Sequence, residues 1–382
     1  MVDLSTAVLV YTKDTPQMFL NKYPDAEKIL TDKWPDTRFL GARGDRPLIL
    51  ALPNESLKEA TELCVNEGFK EIYVVPLKIG YQAEPIGIDT TKPRLDNVEI
   101  ELVRVCNLNC RGCADFIQLA GDEAPFYDIK AFERDLLQLK RFYWGVEKIR
   151  LMGGEPLLSP RIAEYVEISR DIFPDADLRI VTNGLLIPSL SDDTLERLRK
   201  CGCSFDISNY PPTKKRRKEI AGTLRKSGIT YDFSVPMRYF MKNILLHPTN
   251  DPKPAFDNCI FTHCHMLGEG GLLAPCSLAY CIPRFNRKFG TSYPETDVID
   301  LYNTELDGKK INEMFSSPHL FCACCGQGLM PFRWRAGVNA ELSKQSDWLI
   351  PDGFLTQKLI PIVQRTVKPF AVKLRSIIQR KK

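Results

Sequence analysis

Between residues 97 and 208, strand-length apolar runs alternate with helix-length segments, and this alternation constrains the fold more than any other feature of the chain. Strands are expected at 97–105, 148–152, 178–182 and 204–208, with helices at 129–142, 161–172 and 192–200 between them. Strands separated by crossover-length helices imply a parallel sheet. In such sheets the ligand lies beyond the carboxyl ends of the strands, and the loops there hold the residues of chemical interest.

The chain has 382 residues, too many for one ordinary core, so two or three domains are expected. Residues 1–82 read as a small Rossmann-like βαβ domain, with strands at 7–11, 48–52 and 71–75. Its helix is expected to start at Ser56, with Glu59 completing a capping box. No G-x-G-x-x-G turn follows a strand here, so a nucleotide site has little support. Residues 83–96, carrying Pro85 and Pro93, read as a linker and 97–250 as the central domain. Past about residue 250 the periodicity fades and cysteine, glycine and proline take over, which suits a small metal-stapled domain at 251–335. Residues 336–382 read as a basic amphipathic tail.

A hydrophobic content of 44% and a charged content of 26% are those of a globular protein. No apolar run reaches 18 residues, so no membrane-spanning helix is expected. The N-terminus MVDLSTAVLVYTKD lacks a cationic region and a long apolar stretch, which predicts a cytoplasmic protein. A net charge of +4 is too small to argue for a nucleic-acid partner. In a reducing cytosol the 13 cysteines are more readily metal ligands or catalytic groups than disulfides. Cys64, Cys201 and Cys203 stand apart and read as small buried hydrophobes.

Cys106-Asn-Leu-Asn-Cys110-Arg-Gly-Cys113 follows the 97–105 strand. Three thiolates on one loop do not close a four-ligand site. They can hold three irons of a cubane and leave the fourth iron open, and an open position marks a catalytic metal site. A zinc site short of its fourth ligand is the other reading. Gly153-Gly154-Glu155-Pro156 follows the 148–152 strand; two glycines let backbone carbonyls approach an ammonium, and Glu155 adds negative charge. Thr182-Asn183-Gly184 ends the next strand, and Asp206 and Ser208 alternate along the last, before Asn209-Tyr210-Pro211-Pro212.

The C-x3-C-x2-C loop after a strand, followed in order by G-G-E-P and T-N-G, resembles the radical S-adenosylmethionine (SAM) superfamily. The resemblance implies an α/β fold with a partial (β/α)6 barrel and a [4Fe–4S] cluster on Cys106, Cys110 and Cys113. It places SAM against Gly153, Gly154, Glu155 and Asn183, with Ser208 reaching the ribose or else capping a strand end. Family members usually carry an aromatic residue before the third cysteine; Gly112 stands there, and Phe116 is the candidate substitute. Cys259, Cys276, Cys322 and Cys325, with Gly271 between the first two, resemble the Twitch and SPASM accessory domains. That implies a second, auxiliary [4Fe–4S] cluster on these four residues, a four-cysteine zinc site being the alternative. Cys264 either replaces Cys259 or stays open to substrate, Cys281 and Cys324 are spare, and His263 and His265 flank Cys264.

The implied chemistry is reductive cleavage of SAM to a 5′-deoxyadenosyl radical, with electrons from a flavodoxin- or ferredoxin-type reductant. Between residues 97 and 335 the chain resembles bacterial radical SAM proteins of glycan and sugar pathways. That makes oxidation, epimerisation or deoxygenation of a sugar or glycan the first reading. Maturation of a ribosomally made peptide is the second, and a non-enzymatic zinc-binding protein is the alternative of another class. No catalytic acid, base or hydrogen donor is assignable; Tyr210, Cys264 and Cys281 are the places to look. The run 214–218 (Lys-Lys-Arg-Arg-Lys) is a solvated helix start or a site for an anionic substrate. The tail, cationic and free of acids after Asp352, either lies on an anionic membrane surface or packs on the protein.

Overall fold

The computed structural model describes residue 4 and residues 6–31, 46–78, 83–249, 251–259 and 264–351. Near the N-terminus lie β1 (Val8–Tyr11), α1 (Gln17–Leu20), β2 (Glu27–Leu30), β3 (Leu48–Ala51), α2 (Asn54–Asn66), β4 (Ile72–Val74) and β5 (Ile86–Gly87). The strands form one sheet in the order β2-β1-β3-β4-β5. All pairs are parallel except β4 with β5. Val8–Val10 and all of β3 are buried on both faces, which is why they read as continuous apolar runs. β2 carries Glu27 and Lys28 at the sheet edge and left no such run. α2 starts two residues before Ser56, and no capping box forms: Pro53 is the N-cap and no side chain caps the helix.

The stretch 83–96 is not the linker expected. Ile86–Gly87 adds to the N-terminal sheet, and the next strand, β6 (Arg94–Val103), opens inside it. The reason is a buried anchor. Arg94, 1% exposed, pairs with Asp175 at 2.5 Å and donates to the Asn54 carbonyl at 2.7 Å. Asn54 also donates to the Glu147 carbonyl at 2.5 Å, so one polar knot ties α2 to the central sheet.

The central region continues with α3 (Ile129–Phe142), β7 (Gly145–Gly153), α4 (Ile162–Ile172), β8 (Asp177–Thr182), α5 (Asp192–Lys200), β9 (Ser204–Ile207), α6 (Pro211–Lys226) and β10 (Tyr231–Phe233). Beyond it come β11 (Tyr239–Leu245), α7 (Lys253–Asp257), β12 (His265–Gly268), β13 (Leu272–Ala274), α8 (Ser277–Phe289), β14 (Ile299–Asp300), α9 (Gly308–Phe315), β15 (Cys325–Arg333) and β16 (Leu349–Ile350). The large sheet has the order β10-β9-β8-β7-β6-β12-β13-β14. β6 to β9 are parallel neighbours in sequence order, as the alternation predicts, and β10 continues the series beyond the expected strands. The sixth parallel strand departs from a simple six-unit repeat. It is β12, and it lies on the other side of β6. The strand that follows β10 leaves the sheet, because β11 pairs with β15 and β16 instead.

The sheet's two faces differ. Val98, Ile100, Leu102, Ile149, Leu151, Leu178, Ile180, Phe205 and Ile207 are buried in one core with helical residues such as Leu136, Val166 and Leu224. Each such side chain contributes about 1.5–3 kcal/mol on burial. The alternate positions, Glu99, Glu101, Arg150, Arg179 and Asp206, fall on the opposite face. A second correction concerns the tail. Residues 336–351 fold onto the body, with Trp348 and Ile350 each 1% exposed and β16 paired with β11. The cationic positions after Asp352 lie outside the described residues. Among the described residues no helix is long and apolar enough to cross a membrane.

Candidate functional site

The cysteine loop leaves β6 and is clasped by residues 332–348. Arg111 N donates to the Arg335 carbonyl at 2.8 Å, while Gly337 N and Val338 N donate to the Leu108 and Asn109 carbonyls, both at 2.9 Å. Arg111 pairs with Asp347 at 2.6 Å, and the Trp348 indole donates to the Cys113 carbonyl at 2.8 Å. Trp334 Nε1 donates to Cys110 Sγ at 3.2 Å. Gly112 has φ +62°, and a Cβ there would stand 2.6 Å from Phe332 Cζ and 2.8 Å from the Asp347 carbonyl oxygen. No aromatic side chain fits at position 112. Phe116 does not replace it: the ring is fully buried, 5.7 Å from each of Phe285 and Trp348.

The three thiols of this loop are free of disulfides and lie within each other's electrostatic reach. Burial pushes all three up, Cys110 to about 12, and the neighbouring sulfurs add to the effect at Cys110 and Cys113. Three thiols that resist ionising alone, on one loop, suit a cationic metal centre whose charge reverses that penalty.

The loop after β7 is locked against the exit of β6. A Cβ on Gly153 (φ +124°) would stand 2.4 Å from the Val103 carbonyl oxygen, and one on Gly154 would stand 2.0 Å from that of Val105. Only glycine allows this approach. Gly154 N donates to the Val103 carbonyl at 2.6 Å and Glu155 N to that of Val105 at 2.9 Å. The Glu155 side chain is fully buried and accepts from Thr182 Oγ1 (2.5 Å), Asn183 N (2.8 Å) and Leu157 N (3.1 Å). Burial outweighs these donors and pushes its carboxyl up to about 7. Asn183 Nδ2 in turn donates to Asn107 Oδ1 at 2.7 Å, tying the third loop to the first. Ser208 is half-buried after β9; its N–H donates to the Thr182 carbonyl at 2.8 Å, and its carbonyl accepts from Tyr210 N at 2.9 Å. Glu155, Asn183 and Ser208 thus stand at the carboxyl ends of consecutive strands.

In the second set, Cys276 is the N-cap of α8, its sulfur accepting from Ala279 N at 3.5 Å. Cys259, Cys322 and Cys325 all act on Cys276 electrostatically, and Cys259 acts on Cys322. Cys276 is thus within electrostatic reach of the other three expected ligands. Cys264 accepts from Asn97 Nδ2 at 3.2 Å, beside Glu99 and Arg150, and Cys259 acts on it electrostatically as well. Cys281 and Cys324 are each 1% exposed in an apolar core, and Cys64, Cys201 and Cys203 are also buried. His263 lies outside the described residues, and His265 is buried against Phe315. Among the described residues no three His, Cys, Asp or Glu side chains are grouped to hold a single metal ion.

One feature of the site was missed in the sequence. The sheet face away from the helices carries a row of ion pairs: Glu99 with Arg150, Arg150 with Asp206 (3.5 Å), and Arg179 with Asp206 (2.8 Å), Asp177 (2.9 Å) and Asp232 (3.4 Å). Deeper in, Arg284 grips Glu101 at 2.6 and 2.7 Å and Glu123 at 2.6 Å. The signal was the charge at every second position of strands otherwise apolar. At the ends of β9 and β10 a cavity of about 330 Å³ is lined by Asn209, Lys214, Lys215, Met237 and Arg238 among others.

Residues 100–210 match the family model of the Radical SAM superfamily. The chain is similar to a GTP 3′,8-cyclase of Campylobacter jejuni subsp. doylei, 28% identical over 167 residues, which are 43% of this chain and 51% of that protein. A GTP 3′,8-cyclase of Crocosphaera subtropica is 32% identical over 122 residues, 30% of this chain and 35% of that protein. The chain spans about half the length or less of these curated relatives. Among solved structures it is similar to BtrN in complex with AdoMet and 2-DOIA, at 18% identity and a TM-score of 0.38 over 61% of this chain and 94% of that one. Streptococcus suis SuiB bound to S-adenosylmethionine gives 12% identity and a TM-score of 0.32 over 61% of this chain and 72% of that one. The matched radical SAM segment holds the first cysteine loop, Gly153–Glu155, Asn183 and Ser208; the second cysteine set lies beyond it.

Proposed function

We propose that the chain is a radical SAM enzyme that abstracts hydrogen from a sugar or glycan, leading to its oxidation, epimerisation or deoxygenation. Cys106, Cys110 and Cys113 would hold the [4Fe–4S] cluster. When bound, that cluster supplies one electron to the sulfonium of SAM and so releases the 5′-deoxyadenosyl radical. Gly153, Gly154, Glu155, Asn183 and Ser208 would hold SAM, chiefly through backbone groups for the glycine pair, whose side-chain-free Cα atoms keep the loop against β6. The buried Glu155 carboxyl also braces the second and third loops. Cys259, Cys276, Cys322 and Cys325 would carry an auxiliary [4Fe–4S] cluster. A flavodoxin- or ferredoxin-type protein would supply electrons.

The observation that carries the substrate reading is the ion-paired row Glu99–Arg150–Asp206–Arg179 on the sheet face opposite the helices. Barrel interiors are ordinarily filled by branched apolar side chains. A row of alternating donors and acceptors, nearly balanced in charge, instead suits a neutral ring bearing many hydroxyls. The relatives are named for GTP, a ribose-bearing nucleotide, and the lysine-lined cavity after β9 offers a place for the anionic end of an activated sugar. The parallel N-terminal sheet is also unlike the winged-helix unit expected of a peptide maturase.

The test is anaerobic reconstitution with iron and sulfide, reduction, addition of SAM and an assay for 5′-deoxyadenosine. A Cys106/Cys110/Cys113→Ala triple variant runs beside the wild type. Loss of product in the variant supports the reading, and stimulation by nucleotide sugars but not by peptides supports the substrate class. Cys276→Ser should bind about half the iron of the wild type if two [4Fe–4S] clusters are present. A protein that takes up zinc and no cluster overturns the reading.

A further inference from the structure

The indole of Trp334 is fixed at three points. Its backbone N–H donates to the Arg238 carbonyl at 3.0 Å, continuing the β11–β15 ladder. Its ring stacks on Tyr210 at 5.6 Å and 15°. Its Nε1–H points at Cys110 Sγ, 3.2 Å away, a normal distance for a sulfur acceptor. An indole N–H is only ever a donor, so this contact has one sense. Tyr210 is itself held edge-on by Phe240 at 5.8 Å, and Phe240 pairs with Phe332 across the same two strands. The orientation of the N–H is therefore set by the strand ladder and the stack on Tyr210, and not by the sulfur alone.

A hydrogen bond to a ligating sulfur draws electron density from it and favours the reduced cluster over the oxidised one. The donor here comes from the far end of the chain. β15 starts at Cys325, in the second cysteine set, and the residue after its last one is Trp334. One strand thus delivers the donor to the first set from the region that holds the second.

We propose that Trp334 is a positioning residue that raises the reduction potential of the cluster on Cys106, Cys110 and Cys113 by donating its indole N–H to the Cys110 sulfur. This rests on the reading of that loop as a cluster site. Its consequence is that the C-terminal part of the chain governs how readily the catalytic centre accepts its electron. Tyr210 contributes by holding the indole in plane.

The experiment is an EPR-monitored redox titration of the reconstituted full-length protein, wild type and Trp334→Phe, both carrying Cys276→Ser to silence the second set, with iron and sulfide contents measured alongside. Phenylalanine keeps a ring against Tyr210 and removes the donor. The expected result is equal iron loading and a more negative midpoint, with a reduced-to-oxidised ratio about tenfold lower at the same poise, equal to ~59 mV for one electron. An unchanged midpoint with a full cluster overturns the inference. A wild type that assembles no cluster sinks the underlying site assignment instead. Should Trp334→Phe fail to load, 3-benzothienylalanine at position 334 decides, since it keeps the bicyclic shape with sulfur in place of N–H. The same negative shift supports the proposal, and none overturns it.

Discussion

Asp347 Oδ1 accepts from Arg111 Nε at 2.6 Å, joining residues 236 positions apart, and Arg111 sits between two cysteines of the first set. Asp347 is 3% exposed and its second oxygen also accepts from Lys344 N at 3.0 Å. Arg111 is 40% exposed, so it rehydrates when its partner is lost. Asp347→Ala should therefore cost about 1–3 kcal/mol, mostly the lost charged hydrogen bonds and not a stranded cation. Thermal unfolding and iron retention after gel filtration check this. A variant that melts with the wild type and keeps its iron would show the clasp to be dispensable.

Gly112 gives a sharper test of the same clasp. Alanine there must adopt φ +62° and place its Cβ 2.6 Å from Phe332 Cζ and 2.8 Å from the Asp347 carbonyl oxygen. The left-handed conformation alone costs on the order of 1–3 kcal/mol, before the clash is counted. Gly112→Ala is expected to lower both the melting temperature and the iron content after reconstitution. Phe332→Leu should recover part of the loss in the double variant, because Phe332 is the more yielding of the two neighbours. No recovery would place the strain elsewhere.

Arg284 is 4% exposed and holds the fully buried Glu101 through both of its terminal nitrogens. Arg104 Nε stands 3.2 Å from the same carboxylate, so the loss of Arg284 leaves Glu101 with one partner. Arg284→Leu should destabilise by about 3–5 kcal/mol, the range for breaking a buried pair. Equilibrium denaturation measures it. Arg284→Leu with Glu101→Gln should recover much of the loss, since the buried carboxylate left with Arg104 alone is then gone; a double variant as unstable as the single one would argue against this account.

How much of this was legible depended on whether a residue's job was local. The Cys106–Cys113 spacing, the glycines at 153 and 154, and the strands from β7 to β9 are local signals, and the structure has the three loops they specify tied together at one end of the sheet. Trp334, Asp347 and Trp348 act on the cysteine loop from more than 200 positions away, and nothing in their own surroundings says so. The stretch after residue 336 read as tail because its buried run, Trp348–Ile350, is too short to announce a strand; β16 exists only because β11 offers it an edge. Phe116 illustrates the converse. Its aromatic character suggested the rim, but that same character serves equally well in the core between Phe285 and Trp348.

Glu155 ties these loops to pH. Its carboxyl is fully buried, and burial holds it at about 7 against an ordinary 4.5, despite three donors that favour the charged form. The native state therefore binds a proton that the unfolded chain releases between these two values. Where the native state holds more protons, stability falls as pH rises. The contribution of Glu155 is fully present below pH 4.5, fades as pH climbs, and is gone above about 7. At 1.36 kcal/mol for each unit, the swing is on the order of 3 kcal/mol. Glu155→Gln should lack this slope, so the stability difference between wild type and variant should change with pH across the window. Urea unfolding of the metal-free protein at intervals from pH 5 to 8 provides the comparison, the difference between wild type and variant being the readout. A difference that does not change across that window would mean that Glu155 is ionised in the folded protein, with its three donors outweighing burial.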